Sequence, residues 1–441
     1  MIEIDRRHLD ELSELLRIPS VSADPAHRAD VLRAAEWVRD FIRRSGGEAD
    51  VVDWEGSPLV LGEIRASREP APTVLAYGHF DVQPPAPLEE WESPPFEPAV
   101  RDGWLYARGV ADDKGQLYLL LEAAAELRAE GALPVHVRIA CDGEEEVGGH
   151  SIVDFLARDE GALDACVIFD GGMPARDVPA FYLATRGIVY FHVSVRTGER
   201  DLHSGVYGGG ALNATHALLQ TLGAVLPRDG RLPDALRAGT VPPTAGELED
   251  WRRLQPGAEV LAEQGARPAD PRAAEEFYLR TFAEPSVDVH GLAGGSPHLQ
   301  KTVLPVFAEA NVSIRLAPGQ DVETVAPQVE RLLREAAPAG ADVEVERWSD
   351  SPPGLVAPES RAVQLALDAF ERALGKRPLL IRSGGTLPIV PALAARGVPA
   401  ILTGFDLPDG NVHAPNERLL LEYVPLGLRA ARELYLALGA L

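Results

Sequence analysis

The amino-acid sequence predicts an α/β protein whose main domain is interrupted by a second, α+β domain. The chain has 441 residues, more than the ~250–300 that one hydrophobic core usually serves. Short apolar runs alternate with helical patterns in its first and last parts, as in an α/β sheet covered by helices. This alternation changes between residues 187 and 351. We therefore expect a discontinuous main domain (1–186 and 352–441) around an inserted domain (187–351).

The first part of the main domain shows one clear helix and three strands. Residues 29–45, ADVLRAAEWVRDFIRRS, carry apolar residues at helical spacing and stop at Gly46-Gly47. The runs TVLAY, VHVRIAC and DACVIFD are short and rich in β-formers, which is typical of strands buried in a sheet. The segment QLYLLLEAAAELRAEG predicts a further helix between them.

The inserted domain has a different pattern. VYFHVSVRT alternates like a half-exposed strand, and ALNATHALLQTLGAVL predicts a helix. FAEANVSIRLAPG and ADVEVERWS predict strands around the helix VETVAPQVERLLREA. The α/β pattern returns with PPGLVAPESRAVQLALDAFERAL, followed by the strands PLLIRS and PAILTGF and the terminal helix VPLGLRAARELYLALGAL.

Composition excludes several classes of partner. Acidic residues outnumber basic ones by 67 to 42, and the formal net charge of −25 repels phosphate backbones and anionic membranes. The longest apolar runs are shorter than the ~18 residues of a membrane-spanning helix, and the N-terminus does not resemble a signal peptide. Cys141 and Cys166 lie in strand-like runs, where buried reduced thiols are expected. We expect a cytoplasmic protein that binds neither nucleic acid nor membranes.

Acidic and imidazole side chains follow the predicted strands. Sites in open α/β sheets lie beyond the carboxyl ends of the strands, so these side chains are expected to converge. Converging carboxylates would repel one another unless cations held them. The set comprises His79, Asp81, Asp112, Asp113, Glu144, Glu145, Glu146, Asp170, His413 and Glu417.

Each of these residues also has an ordinary alternative. A single histidine after a strand is usually a loop residue, Asp112-Asp113 could form a turn or cap a helix, and consecutive glutamates are commonly solvated. As a set without thiolates, they suit zinc, manganese or another divalent ion and not an iron–sulfur cluster. There are enough ligands for two ions if one carboxylate bridges them. Asp81 would then orient the imidazole of His79, and the adjacent Glu145 and Glu146 could divide proton transfer and metal binding.

Eight motifs, in order, resemble those of one enzyme family: GHFDVQP, ARGVADDKG, DGEEEVGG, LHSG, KTVLP, VSIRLAPG, RSGGTLP and VHAPNE. The resemblance is to the co-catalytic metallopeptidases that include aminoacylase, carboxypeptidase G, succinyl-diaminopimelate desuccinylase and carnosinase. It spans residues 8 to 436 and is greatest for the cytosolic nonspecific dipeptidase and carnosinase branch. It implies a doubly wound, zinc-peptidase-like catalytic domain with a ferredoxin-like lid and dimerisation domain.

The same resemblance implies roles for individual residues. One divalent ion would be bound by His79 and Asp170 and the other by Glu146 and His413, with Asp112 bridging them. The Asp112–Asp113 peptide bond would be cis. Glu145 would be the general base. Zinc is the expected metal, with manganese and cobalt as alternatives.

Four further residues complete the implied site. His203 would reach into the partner's site of a homodimer and stabilise the oxyanion, and Arg315 would hold the substrate's C-terminal carboxylate. Thr302 and Thr386 would line the substrate pocket. Relatives commonly have glutamate at two positions where this chain has Asp142 and Ser383. The second of these differences leaves the side-chain preference open.

The expected activity is hydrolysis of the peptide bond of dipeptides or short peptides by a metal-activated water. A deacylase or desuccinylase acting on N-acyl amino acids is the alternative within the family. A non-catalytic binding protein on the same fold is a more distant alternative.

Overall fold

The protein is described by a computed structural model over residues 4–54 and 56–441, which divides into two compact units. The first unit comprises Met1–Leu183, Val356–Ile381 and Pro388–Leu441, and the second comprises Ala184–Leu355 and Arg382–Leu387. The mixed α/β character predicted from the sequence is confirmed.

Both units contain helices and strands. The helices are α1 (Arg6–Leu16), α2 (Arg28–Arg44), α3 (Lys114–Ala129), α4 (Ser151–Arg158), α5 (Ser204–Tyr207), α6 (Ala214–Leu222), α7 (Ala245–Trp251), α8 (Gly257–Glu263), α9 (Val322–Ala336), α10 (Arg361–Leu374), α11 (Ile389–Ala395) and α12 (Tyr423–Leu438). The strands are β1 (Glu48–Trp54), β2 (Ser57–Ile64), β3 (Thr73–His79), β4 (Ala99–Arg101), β5 (Trp104–Tyr106), β6 (His136–Asp142), β7 (Ala165–Phe169), β8 (Ala180–Tyr182), β9 (Ala184–Thr185), β10 (Gly187–Arg196), β11 (Leu202–His203), β12 (Ser286–Ala293), β13 (Val303–Leu304), β14 (Phe307–Leu316), β15 (Asp342–Ser351), β16 (Gly354–Leu355), β17 (Leu379–Ile381), β18 (Ala400–Thr403) and β19 (Arg418–Leu420).

The first unit is built on a six-stranded sheet in the order β1-β2-β6-β3-β7-β18. Strands β6, β3, β7 and β18 are parallel, whereas β1 and β2 form an antiparallel hairpin at one side. The predicted strands TVLAY, VHVRIAC and DACVIFD are β3, β6 and β7, and all five residues of β7 are buried. Three of the predicted polar clusters therefore follow neighbouring parallel strands at one edge of the sheet.

Helix α3 packs on the sheet close to this edge. Its sequence is apolar on nearly every side, and residues from Lys114 to Leu127 are buried with few exceptions. It packs on β3 and β7 of the sheet and against α12. An all-round apolar helix is expected at the centre of a domain, and its first turn directly follows Asp112 and Asp113.

The second unit contains a four-stranded antiparallel sheet in the order β12-β14-β10-β15. Residues of β10 alternate between buried and half-buried, as the sequence predicted. Its buried side packs on α6 and α9, with Val189, Phe191, Leu218 and Val329 in the common core. Along the chain, β10, α6, β12, β14, α9 and β15 follow one another as a split βαβ arrangement.

The structure and the sequence-based prediction assign the segment Arg382–Leu387 to different parts of the protein. The prediction placed this segment in the main domain. It belongs to the second unit, where its backbone pairs with the start of that unit. Ser383 N–H donates to Ala184 O at 2.7 Å, and Gly385 O accepts from Arg186 N–H at 2.9 Å. These partners lie far away in the sequence, so local patterns did not reveal them.

Cys141 and Cys166 are buried free thiols in β6 and β7, as predicted. Among the helices of the described residues, we find none whose length and hydropathy would let it cross a membrane.

Candidate active site

The first group of candidate ligands lies at the ends of β3 and β7. His79 is the last residue of β3 and is completely buried, and Asp170 directly follows β7. One ligand atom from each of His79, Asp112 and Asp170 lies within 4.8 Å of the others. This spacing can hold a metal ion.

The second group shares a residue with the first. The ligand atoms of Asp112, Glu146 and His413 also lie within 4.8 Å of one another. The Nε2 atom of His413 is 3.2 Å from Glu146 Oε2. His413 has φ +60°, an uncommon conformation for a residue other than glycine, which fixes the direction of its imidazole.

Asp112 lies between the two imidazoles. Its Oδ1 is 3.0 Å from His79 Nε2, and its Oδ2 is 2.9 Å from His413 Nε2. Both histidine contacts lower the pKa of this carboxyl against the effect of its burial. The Asp112–Asp113 peptide bond is cis, as the family resemblance implied.

Asp81 organises the loop that follows β6 as well as His79. Its carboxylate accepts from the backbone N–H groups of Glu145 (3.2 Å) and Glu146 (3.1 Å), and its Oδ1 is 3.4 Å from His79 Nδ1. The backbone oxygen of Asp81 is 3.1 Å from the same nitrogen. These contacts fix which nitrogen of His79 faces Asp112.

Glu417 has a positioning role that the sequence analysis did not assign, although it named this residue as a candidate. The Glu417 carboxylate is buried and accepts from the backbone N–H groups of Gly109, Ala111 and Asp112 at 2.9–3.1 Å. Arg108, itself buried, donates to Glu417 at 2.7 Å. The loop that carries Asp112 is therefore held by a charged pair, and no local sequence signal distinguishes such a pair from surface charges.

Gln116 was also missed, because a single glutamine in a helix has no distinctive signal. Its side chain donates to Ala111 O (2.8 Å) and Gly171 O (3.1 Å) and accepts from Phe405 N–H (2.6 Å). It thereby joins the loop before Asp112 to the loop after Asp170.

Burial perturbs the carboxyl groups of the site. It raises the pKa of Asp170 to about 7 and that of Glu145 to about 9, and neighbouring carboxylates add to both shifts. Hydrogen bonds that the His413 imidazole donates to Asp112 and Glu146 raise the pKa of His413 to about 10. Buried carboxyls with strongly raised pKa values are a frequent mark of functional sites.

The donor set fits divalent metal ions. Two imidazoles and three carboxylates, without thiolates, form two overlapping groups that share Asp112. Nearby, Asp113 Oδ1, Asp142 Oδ2 and Asp406 Oδ1 are buried without hydrogen-bond partners. Burial raises the pKa of all three carboxyls, and a cation bound nearby would favour their charged forms. Nitrogen and oxygen ligands of this kind suit zinc, manganese and cobalt.

A cavity of about 280 Å³ adjoins these ligands within the first unit. Asp112 and Asp170 lie in its wall, together with Gln116, Tyr182 and Met173. Asp112 and Asp170 are therefore accessible from a concave surface.

The four other predicted residues lie in the second unit. Arg315 donates to Thr386 Oγ1 at 3.0 Å, and Thr386 donates to Arg186 O at 2.7 Å. His203 is exposed and is paired with Val303 across the β11–β13 ladder. Its Nδ1 accepts from Gly205 N–H at 3.0 Å, so its Nε2 carries the proton of the neutral ring.

Thr302 is exposed beside the His203 segment. Its carbonyl oxygen accepts from Ser204 N–H at 2.9 Å. Asp142 accepts from Ser151 Oγ and Glu144 N–H at 3.0 Å each. It belongs to neither group of candidate ligands.

Comparisons with known proteins show what this chain is similar to. A model of peptidase family M20/M25/M40 matches residues 75–437. The chain is 29% identical over 428 residues to a cysteinylglycine-S-conjugate dipeptidase of Corynebacterium striatum, covering 93% of this chain and 91% of the relative.

Two solved structures share the fold. Human carnosine dipeptidase 1 superposes with a TM-score of 0.77 at 26% identity, covering 99% of this chain and 96% of that one. An M20 family metallo-carboxypeptidase of Sulfolobus solfataricus superposes with a TM-score of 0.85 at 24% identity, covering 99% of this chain and 100% of that one.

Proposed function

This chain belongs to peptidase family M20/M25/M40, and we propose that it hydrolyses the peptide bond of dipeptides with two divalent ions. The main support is Asp112, whose two carboxylate oxygens face the imidazoles of His79 and His413. Two of the similar proteins are themselves named dipeptidases. A dipeptide is the substrate class on which these observations agree.

The proposed ligand sets follow the two groups of side chains. His79 and Asp170 would hold one ion and Glu146 and His413 the other, with Asp112 shared between them. When bound, such a pair of ions supplies an activated water and polarises the scissile carbonyl. Zinc is the first choice, with manganese or cobalt as alternatives.

Glu145 is the proposed general base. Its backbone N–H is fixed by Asp81 Oδ1, whereas the next residue, Glu146, is fixed by Oδ2 and points its carboxylate to His413. Glu145 is thus left free for proton transfer. It accepts a proton from the attacking water and passes it to the leaving amine.

We assign the second unit a ferredoxin-like fold that acts as the lid and dimerisation domain. Arg315 holds the C-terminal carboxylate of the substrate, and Thr386 orients its guanidinium. Thr302 lines the pocket beside His203. In a homodimer, His203 of one protomer donates from Nε2 to the oxyanion in the partner's site. The two buried free thiols agree with a reducing, cytoplasmic location.

The Glu145→Gln variant tests the chemistry. We expect it to lower kcat for a dipeptide by at least about 10²-fold with unchanged metal content, because the amide cannot accept the proton. Glu144→Gln is a matched control, since Glu144 hydrogen-bonds to the backbone of His150 and Ser151 instead. Near-normal turnover by Glu145→Gln would contradict its role.

A substrate panel tests the reaction class. Metal-reconstituted protein should hydrolyse dipeptides faster than tripeptides and N-acetyl or N-succinyl amino acids. Preference for the N-acyl compounds would make the protein a deacylase. Failure to bind metal or to hydrolyse any member of the panel would indicate a binding protein.

Mixed dimers test the shared site. Neither His203→Ala nor Arg315→Ala protomers contain a complete site alone, but one site of a mixed dimer contains both wild-type side chains. We expect partial recovery of activity after subunit exchange. If exchange is verified and activity does not return, His203 does not act across the dimer.

A further inference from the structure

Two arginines of the second unit lie side by side without a carboxylate partner. Arg186 and Arg315 are both half-buried. Among the described residues, neither has a carboxylate oxygen within 4.0 Å of its guanidinium nitrogens. This is unusual in a chain with 67 acidic and 42 basic residues. Unpaired buried cations are costly, and such positions are commonly retained for an anionic ligand.

Among the described residues, the two arginines that are fully buried are both paired. Arg108 is 2.7 Å from Glu417, and Arg382 is 2.6 Å from Glu247. Arg186 and Arg315, which are half-buried, have no such carboxylate partner.

Shared contacts fix the two guanidinium groups near each other. Arg186 Nη1 donates to Ser286 Oγ at 3.4 Å, and Ser286 is the cross-strand partner of Arg315. Thr386 connects them again, because its hydroxyl accepts from Arg315 and donates to the backbone of Arg186. Arg186 Nε donates to Gly384 O at 3.0 Å, which anchors the side chain. Directly opposed residues of neighbouring strands have Cβ atoms ~4.5–5.5 Å apart.

The electrostatics support this placement. Burial, together with the charge of Arg315, lowers the pKa of Arg186 to about 10. Burial also lowers the pKa of Arg315. Asp288, an exposed residue of β12, acts against both shifts. An anion bound here would relieve both desolvation and mutual repulsion.

We propose that Arg186 and Arg315 together bind two carboxylates, so that the enzyme prefers dipeptides whose C-terminal residue is glutamate or aspartate. This inference rests on the proposed function, in which Arg315 holds the C-terminal carboxylate. The acidic side chain of the same substrate residue then pairs with Arg186. Two cations are matched by two anionic groups, whereas a neutral C-terminal residue leaves one guanidinium unpaired.

Binding to the Glu145→Gln protein tests the site without turnover. In calorimetric titrations we expect Gly-Glu to bind about tenfold or more tightly than its neutral isostere Gly-Gln, as for one added charged hydrogen bond. When Arg186→Gln is combined with Glu145→Gln, the ratio of the affinities for Gly-Glu and Gly-Gln should fall to about one. When Arg186→Lys is used instead, part of the preference for Gly-Glu should remain. Arg347→Gln is the charge control, because Arg347 pairs with Glu323 at 3.0 Å.

Each outcome decides the proposal. Equal affinity for Gly-Glu and Gly-Gln in the Glu145→Gln protein would overturn it without needing any change at Arg186. A preference for Gly-Glu that remains in the Arg186→Gln variant would also overturn it. If Arg186→Gln weakened the binding of both peptides equally, Arg186 would have only a structural role, and the proposal would again be overturned. Failure of the wild-type enzyme to hydrolyse any dipeptide would contradict the proposed function, and the affinity ratio would still test the anion site.

Discussion

The buried ion pair between Glu247 and Arg382 should be a principal stabilising contact of the second unit. Arg382 donates from Nε to Glu247 Oε1 at 2.6 Å and from Nη2 to Oε2 at 3.2 Å, and each residue is only 2% exposed. The same guanidinium donates to the carbonyls of Val241 and Pro242 at 2.9 and 3.2 Å. Arg382 thus fixes one end of the segment that carries Thr386.

Glu247 also closes the first turn of α7. Its carboxylate accepts from Thr244 N–H at 2.7 Å, and the Thr244 hydroxyl accepts from Glu247 N–H at 3.2 Å. We expect Glu247→Ala to cost about 3–5 kcal/mol, because it leaves a buried guanidinium unpaired. Thr244→Ala removes only a cap and should cost about 0.5–2 kcal/mol. The difference between the two variants measures the cost of leaving Arg382 unpaired.

The assay is urea unfolding followed by circular dichroism, which gives the free energy of unfolding. Hydrogen exchange of residues 241–251 and 382–387 is measured alongside. Hydrogen exchange is needed because two units can unfold separately. The Glu247→Leu/Arg382→Met double variant should recover at least half of the loss, since it removes both charges. If Glu247→Ala costs no more than Thr244→Ala, the pair does not stabilise the unit as argued.

Two further predictions concern the metal centre. In metal-free protein near pH 7, Glu145 and His413 hold protons, with pKa values of about 9 and 10, and Asp170, with a pKa of about 7, holds one in part. Divalent ions should therefore displace protons and bind more tightly as pH rises from about 6 to 9. Calorimetry in buffers of different ionisation enthalpy measures this proton release. Binding heats that do not depend on the buffer would contradict the prediction. Glu417→Gln should weaken metal binding about 10–100-fold, because Glu417 holds the backbone of Asp112. Competition with a chelator measures the metal affinity. An unchanged affinity would show that Asp112 does not need the contact with Glu417.

Much of the site could be predicted because its residues follow strong local patterns. Apolar runs defined β3, β6 and β7, and the carboxyl ends of neighbouring parallel strands meet at one edge. His79 and Asp170 were located in this way. His413 was found in the same way, because it lies in a loop after β18, the predicted strand PAILTGF, and the motif VHAPNE supported it.

The remaining features depend on contacts between distant parts of the sequence. Arg382 appeared as the end of a main-domain strand, but its partner Glu247 lies 135 residues earlier in the second unit. Glu417 and Arg108 are 309 residues apart. Charged pairs of this kind have no local signature, because either residue alone resembles a surface charge. Arg186 was missed for the same reason.

The most direct measurement of the central claim is an anomalous difference map from crystals of the zinc- or manganese-loaded protein. We expect two peaks about 3.5–4 Å apart, one beside His79 and Asp170 and the other beside Glu146 and His413, with Asp112 between them. A single peak, or peaks away from Asp112, would contradict the two-metal assignment.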